Sequence, residues 1–155
     1  KVPSKRNSYA NLQSITLILL LFCFLISINL LNLNNFILHD DSWGAAAVLG
    51  NPYEVIVFTL RWDLHPPLYY SVLDLWAILG KSDLWLQSSS SFCHALTVGI
   101  TFHFLRKHYT LLFSLLLSLL VLTSPLLLEY SFKVRMYSFV AFLSTVLFFA
   151  IEAYV

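Results

Sequence analysis

Long apolar stretches without a formal charge dominate the pattern of this chain and predict membrane-spanning helices. The long charge-free intervals are 7–39, 84–105, 108–128 and 136–151. A membrane helix needs about 20 mostly apolar residues, because the hydrocarbon core is about 30 Å thick. We therefore predict an all-α, polytopic transmembrane fold. Its spans are placed at about 14–36, 84–105, 109–128 and 136–155.

Basic residues beside the spans predict their orientation. One basic group, within 1–6, precedes the first span, and a second, at 106–108, lies between the second and third. Because basic residues favour the cytoplasmic side, segments 40–83 and 129–135 are predicted to share the outer face. We expect an uncleaved first helix rather than a signal peptide, because its apolar region exceeds the usual about 7–15 residues.

Turn and capping signals in the outer segment 40–83 predict three short helices along the membrane interface. An Asp-Asp-Ser sequence can cap a first helix within 40–49. A Gly-Asn-Pro turn precedes a second helix, Tyr53–Trp62. Two consecutive prolines start a third, Leu68–Leu79, because proline is well suited to the first helical position.

The composition supports a membrane protein. Of the 155 residues, 59% are apolar and 11% are charged, against about 45–50% and about 25% in soluble domains. These values exclude an ordinary soluble globule, a disordered tail and a nucleic-acid binder.

Two adjacent acids, Asp40 and Asp41, follow the first predicted span. They can cap a helix. They can also act as a general base, because an aspartate is ionised at neutral pH and takes a proton from a hydroxyl. A third interpretation is a divalent metal site completed by His39 or His65.

Two cations, Lys133 and Arg135, lie on the predicted outer side, against the usual preference of basic residues. They can extend along apolar surface to reach the headgroups. Alternatively they hold an anion, a lipid phosphate above all, because arginine binds phosphate through two donors.

The second predicted span carries polar residues along one side. These are Ser88–Ser91, His94 and His103. We expect this side to face protein rather than lipid, and we interpret the two histidines as buried polar partners rather than ligands.

Three motifs occur in order along the chain. They are Asp40-Asp41, the sequence His-Pro-Pro-Leu-Tyr-Tyr at 65–70, and Ser124-Pro125 followed by Tyr-Ser-Phe-Lys-Val-Arg-Met-Tyr at 130–137. Together they resemble the multi-pass GT-C-fold glycosyltransferases of the protein-mannosyltransferase-like branch. The resemblance covers roughly 36–150.

The resemblance implies a polyprenyl-phosphate sugar as donor and a reaction on the non-cytoplasmic face, which is periplasmic, extracellular or lumenal. The implied partners are this lipid-linked donor, membrane lipids and an acceptor hydroxyl on a glycan, lipid or protein, with no nucleic acid. Asp40 is the implied base, with Asp41 as the alternative, and Arg135 receives the departing phosphate. The substrate-binding assignments are His65, Tyr69, Lys133, Arg135 and Tyr137. No cofactor is assigned beyond the divalent metal considered above.

The chain departs from the family pattern at two positions. Lys133 stands where the family often has Glu, and Gln87 where it often has Arg. These enzymes also have many more helices, so we expect this chain to be the N-terminal part of one transferase domain that does not act alone. The alternative is a non-enzymatic membrane protein, either a transporter segment or an inactive assembly partner. Transporters place charged groups near mid-membrane, whereas the charged motif residues here lie at predicted helix ends.

Overall fold

The computed structural model describes residues 11, 13–22, 24–25, 48, 51–62 and 67–154. The predictions made for Asp40, Asp41 and His65, and for the helix within 40–49, lie outside these residues. Within them the structure is helical and contains no strand, which confirms the all-α class.

Seven helices follow one another in the described part of the chain. The first, α1, is described at 11, 13–22 and 24–25. The others are α2 (Pro52–Trp62), α3 (Pro67–Ala77), α4 (Asp83–His108), α5 (Leu111–Leu122), α6 (Pro125–Tyr130) and α7 (Tyr137–Tyr154).

Helices α2 and α3 confirm the two short helices predicted around 53–62 and 68–79. At the start of α2 the side chain of Asn51 accepts a hydrogen bond from the Tyr53 amide at 3.1 Å and caps the first turn. Charge reinforces α2, because Glu54 lies in its first turn and Arg61 in its last.

Among the helices whose bounds the structure describes, α4 is the longest, and it lies against α3, α5 and α7. It begins where the Ser82 side chain accepts a hydrogen bond from the Trp85 amide at 3.3 Å. It ends with three basic residues, Arg106, Lys107 and His108, whose charge suits the negative end of a helix dipole. Helix α4 covers the predicted span 84–105, and α7 lies within the predicted span 136–155.

The predicted continuous helix over 109–128 is wrong, because the structure divides this segment into α5 and α6. The Thr123 amide donates to the Leu119 carbonyl and ends α5. Pro125 then starts α6, since proline has no amide to continue the earlier helix.

In the part of the chain that the structure describes, no helix combines the length and the apolar character needed to cross a bilayer.

Two buried apolar clusters involve different parts of α4. The first joins α2, α3, the start of α4 and the segment before α7, through Val55, Tyr69, Tyr70, Leu73, Ala77, Leu86 and Val134. The second joins α1 to the middle of α4, through Leu21, Leu25, Ala95 and Val98.

A glycine allows α1 to approach α4 closely. A Cβ atom added at Gly99 would overlap Cγ1 of Ile18 and lie 2.7 Å from its Cδ1. Ile18 therefore occupies the space that any larger residue at position 99 would need.

Helix α5 buries hydroxyls and exposes leucines. Its two buried residues are Ser114 and Ser118, which are 0% and 2% exposed. Its exposed side chains are mainly apolar, namely Leu111, Leu112, Phe113, Leu115, Leu116, Leu119 and Leu120. This distribution reverses that of a helix packed on the core of a soluble protein.

Candidate functional site

Two of the motif segments meet at the N-terminal half of α4. Val134, from the segment between α6 and α7, is fully buried in the same cluster as Tyr69, Tyr70 and Leu73 of α3. Residues more than 60 positions apart in the chain are thereby brought into one packed group. The structure thus joins the second and third motifs of the sequence.

Serines of α4 hold the backbone of the irregular segment 131–136, here called the 131–136 loop. The Ser90 hydroxyl donates to the Lys133 carbonyl at 2.6 Å. The Ser91 hydroxyl donates to the Ser131 carbonyl at 2.7 Å. A carbonyl outside a helix must find another donor when it is buried, and these two hydroxyls supply it.

Two further serines of the loop and its flanks bond locally. The Ser131 hydroxyl donates to the Leu128 carbonyl at 2.7 Å, and the Ser138 hydroxyl donates to the Tyr130 carbonyl at 3.1 Å. Both serines are buried. The loop is therefore fixed at both ends as well as along its length.

All of Ser88–Ser91 is buried, which confirms that this side of α4 faces protein. Ser88 and Ser89 differ from the two serines that follow, because their hydroxyls donate to carbonyls within α4, those of Trp85 and Leu86. The position of each hydroxyl around α4 thus decides whether it reaches the loop.

Lys133 lies at the surface of the loop and forms an ion pair. Its Nζ is 2.6 Å from Oε1 of Glu129 and 4.9 Å from the centre of the Tyr130 ring. The side chains of Lys133 and Glu129 are 31% and 60% exposed. Because water competes with such a pair, it contributes only about 0–1 kcal/mol, so Glu129 is a partner that an incoming anion can replace.

Arg135 is half-buried two residues further along. Its amide donates to the Lys133 carbonyl at 2.9 Å, the same oxygen that accepts from Ser90. This shared acceptor fixes the backbone between the two cations.

Tyr137 begins α7 beside these cations. Its ring lies 4.2 Å from that of Tyr130, and its side chain is 43% exposed. Tyr137 is therefore accessible, and its role in substrate binding stays a prediction.

Tyr69 lies beneath the loop rather than at its surface, with 5% of its side chain exposed. Its hydroxyl lies beside those of Ser90 and Ser89, yet among the described residues it has no partner in hydrogen-bonding geometry. Burial raises the pKa of the Tyr69 phenol above its ordinary value. Tyr69 is thus a neutral phenol that supports the floor of the site.

A buried acid was missed in the sequence. Asp74 of α3 is 4% exposed and lies one turn after Tyr70, on the same face of the helix. The available signal was an acidic residue within an otherwise apolar helix, at a spacing of four from the second tyrosine of the motif. Asp74 is thus a buried acid on the face of α3 that also carries Tyr70.

The two histidines of α4 have different surroundings. Nδ1 of His103 lies 3.0 Å from the Ser14 hydroxyl of α1, so His103 is a polar partner of α1, but it is half-buried rather than buried. His94 is 1% exposed, and neither of its ring nitrogens has a hydrogen-bond partner among the described residues.

Metal binding in the described ranges would need a cluster of ligands, and no group of three His, Cys, Asp or Glu residues there forms one. The acid pair Asp40 and Asp41, with His39 or His65, lies outside those ranges. Its roles as base or metal site stay predictions.

The chain matches no known protein family, no curated protein and no solved structure.

Proposed function

We propose that this chain works in glycosyl transfer at a membrane, moving a sugar from a polyprenyl-phosphate donor to an acceptor hydroxyl on the non-cytoplasmic face. The observation that carries the proposal is the meeting of α3 and the 131–136 loop on α4. The packing of Val134 against the tyrosines of the second motif supports a single site built from the second and third motifs, as a shared substrate requires.

The exposed face of α5 supports a membrane location for this all-α chain. Leucines cover its surface while Ser114 and Ser118 point inward. Helix α7 shows the same arrangement, with Ser138 buried and Leu143, Leu147 and others exposed. Lipid is the solvent that favours apolar side chains outside, and buried small polar residues are typical of contacts between membrane helices.

The proposed reaction is a displacement at the anomeric carbon of the donor sugar. The carboxylate of Asp40, or of Asp41, takes the proton of the acceptor hydroxyl. The acceptor oxygen bonds to the anomeric carbon as the bond from that carbon to the phosphate oxygen breaks. The polyprenyl phosphate leaves with the electron pair.

The cations of the 131–136 loop receive the leaving phosphate. Arg135 offers two parallel donors, and Lys133 adds a point charge. Stabilising the charge that develops on the leaving oxygen lowers the barrier. Glu129 keeps Lys133 at the site between turnovers and releases it when the donor phosphate arrives.

Transfer assays with membranes that contain the full-length protein test this proposal. The probes are mannosyl and glucosyl polyprenyl phosphates with tritium in the sugar, and loss of tritium from the lipid-linked donor is followed with each one. Asp40→Asn removes the basic oxygen and is expected to slow turnover by about 10²–10⁴-fold, with donor binding largely kept. Arg135→Ala is expected to weaken both donor binding and turnover.

Asp41→Asn is the matched control and is milder if Asp40 is the base. A severe Asp41→Asn variant beside an active Asp40→Asn variant would move the base to Asp41. Near-full activity in both would contradict a carboxylate base and favour helix capping. Donor binding without any transfer would favour the non-enzymatic alternative.

A further inference from the structure

A cavity of about 260 Å³ opens at the C-terminal end of α4, away from the candidate site. Its lining comes from α4 and α7 and consists of Ile100, His103, Phe104, Lys107, His108, Phe149 and Glu152. Pockets for drug-sized ligands measure about 300–1,000 Å³. This smaller volume suits a compact polar group rather than a large cofactor.

Packing between helices fixes the walls of the cavity. The rings of Phe104 and Phe149 stack at 4.1 Å and join α4 to α7. The His108 ring lies 4.9 Å from Phe104. The contact of His103 with Ser14 joins the same wall to α1. Three helices therefore hold the cavity in shape.

Two opposite charges line this cavity without neutralising each other. Lys107 and Glu152 form no ion pair with one another or with any other residue in the described ranges. Glu152 would repel a simple anion in this cavity, and Lys107 would repel a simple cation. A zwitterion satisfies both, because each of its charges has an opposite charge to face.

Apolar surface continues from the mouth of the cavity along α7. Phe148, one turn before Glu152 and on the same face of the helix, is 63% exposed, and Ile151 is 56% exposed. A ligand with an apolar tail would find contact there.

We propose that this cavity binds a phosphoethanolamine group, with the ammonium at Glu152 and the phosphate at Lys107 and His108. It rests on the proposed function only through the membrane location of α7. The group can come from a phospholipid or from a soluble ester, because both carry the same two charges. An ethanolamine phospholipid adds acyl chains, which lie along Phe148.

Native mass spectrometry of the full-length protein in detergent tests this site. The probes are phosphatidylethanolamine, phosphatidylcholine and phosphatidylglycerol with identical acyl chains. We expect phosphatidylethanolamine to bind about tenfold more tightly than phosphatidylcholine, since a quaternary ammonium offers no hydrogen bond to Glu152 and such charged bonds are worth about that factor. Glu152→Gln should abolish this preference. Lys107→Gln should weaken the binding of both phosphatidylethanolamine and phosphatidylcholine.

Lys81→Gln is the matched control, because Lys81 is exposed before the opposite end of α4, and it should bind like the wild type. Glycerophosphoethanolamine at millimolar concentration separates the two sources. Displacement of the lipid by this ester assigns binding to the headgroup alone, whereas binding of the lipid without displacement assigns it to the whole phospholipid.

Equal binding of all three lipids, or a preference that survives Glu152→Gln, would overturn the headgroup site. Transfer assays on the same preparations distinguish a failure of the cavity proposal from a failure of the proposed function. Lipid selectivity without transfer counts against the transferase alone, and transfer without lipid selectivity counts against the cavity alone.

Discussion

The indoles of Trp76 and Trp85 exchange hydrogen bonds with each other's backbone. Nε1 of Trp76 donates to the Trp85 carbonyl at 3.0 Å, and Nε1 of Trp85 donates to the Trp76 carbonyl at 3.0 Å. The rings stack with their centres 5.2 Å apart. This reciprocal pair fixes the turn between α3 and α4, and with it the position of Tyr69 over the serines of α4.

Replacing either tryptophan tests this turn. Trp76→Phe and Trp85→Phe keep an aromatic ring but remove one donor each. We expect each to lower the free energy of unfolding by about 1 kcal/mol, the net value of one hydrogen bond. The double variant should cost less than the sum, because the two bonds stabilise one turn. Thermal unfolding in detergent measures all three, and strictly additive losses would show that the two bonds act independently.

Removing a serine hydroxyl tests how the 131–136 loop is held. Ser90→Ala leaves the Lys133 carbonyl without its donor from α4, so amide hydrogen exchange within 131–136 should speed up. Ser88→Ala is the matched control, because Ser88 is equally buried but bonds within α4. In the Ser88→Ala variant the amides of the 131–136 loop should exchange at the wild-type rate. Equal acceleration in both variants would mean that the serines act through helix packing instead.

The ion pair of Lys133 predicts a gain in donor binding. Glu129→Gln removes this ion pair of Lys133, and we expect donor affinity to rise about two- to fivefold, the range of an exposed pair. Lys133→Gln should lower it. Titration with a polyprenyl-phosphate sugar measures both. Glu54→Gln removes the same charge from an exposed position of α2 and should leave donor affinity unchanged. Weaker binding in Glu129→Gln would show that Glu129 itself contacts the donor.

The close approach of α1 to α4 predicts a steric effect at Gly99. Gly99→Ala places a methyl group where Ile18 lies, and overpacking of this kind costs about 1–3 kcal/mol. Ile18→Ala in the same chain should recover part of the loss. Thermal unfolding of the single and double variants provides the test, and a neutral Gly99→Ala would place α1 further from α4.

Local signals predicted the short helices well. Asn51 before a proline gave the start of α2, and the two prolines at 66–67 gave the start of α3, because both features act within one turn. Ser88–Ser91 were also placed correctly against protein. Pro125 is a local signal of the same kind for a helix start. The long charge-free interval 108–128 nevertheless predicted one continuous helix, which is why the division into α5 and α6 was not predicted.

Contacts between residues far apart in the chain could not be predicted from the sequence patterns. The bond from Ser90 to the Lys133 carbonyl joins residues 43 positions apart, and no periodicity specifies it. The ion pair of Lys133 with Glu129 joins residues only four positions apart, but Lys133 lies in the 131–136 loop, so helical spacing does not specify this pair either. The buried position of Asp74 depends on how α3 packs on its neighbours, which only the assembled helices define.

The reversed helix α5 has a consequence for which mutations the protein tolerates. Exposed positions such as Leu116 and Leu120 should accept any apolar side chain, since no neighbour in the described part of the chain surrounds them closely. Ser114 and Ser118 should reject even valine, because they are packed against the bundle. In a saturation mutagenesis library of α5, the positions that tolerate the fewest substitutions would then be Ser114 and Ser118. The large apolar residues between them, which are usually the most constrained, would vary freely.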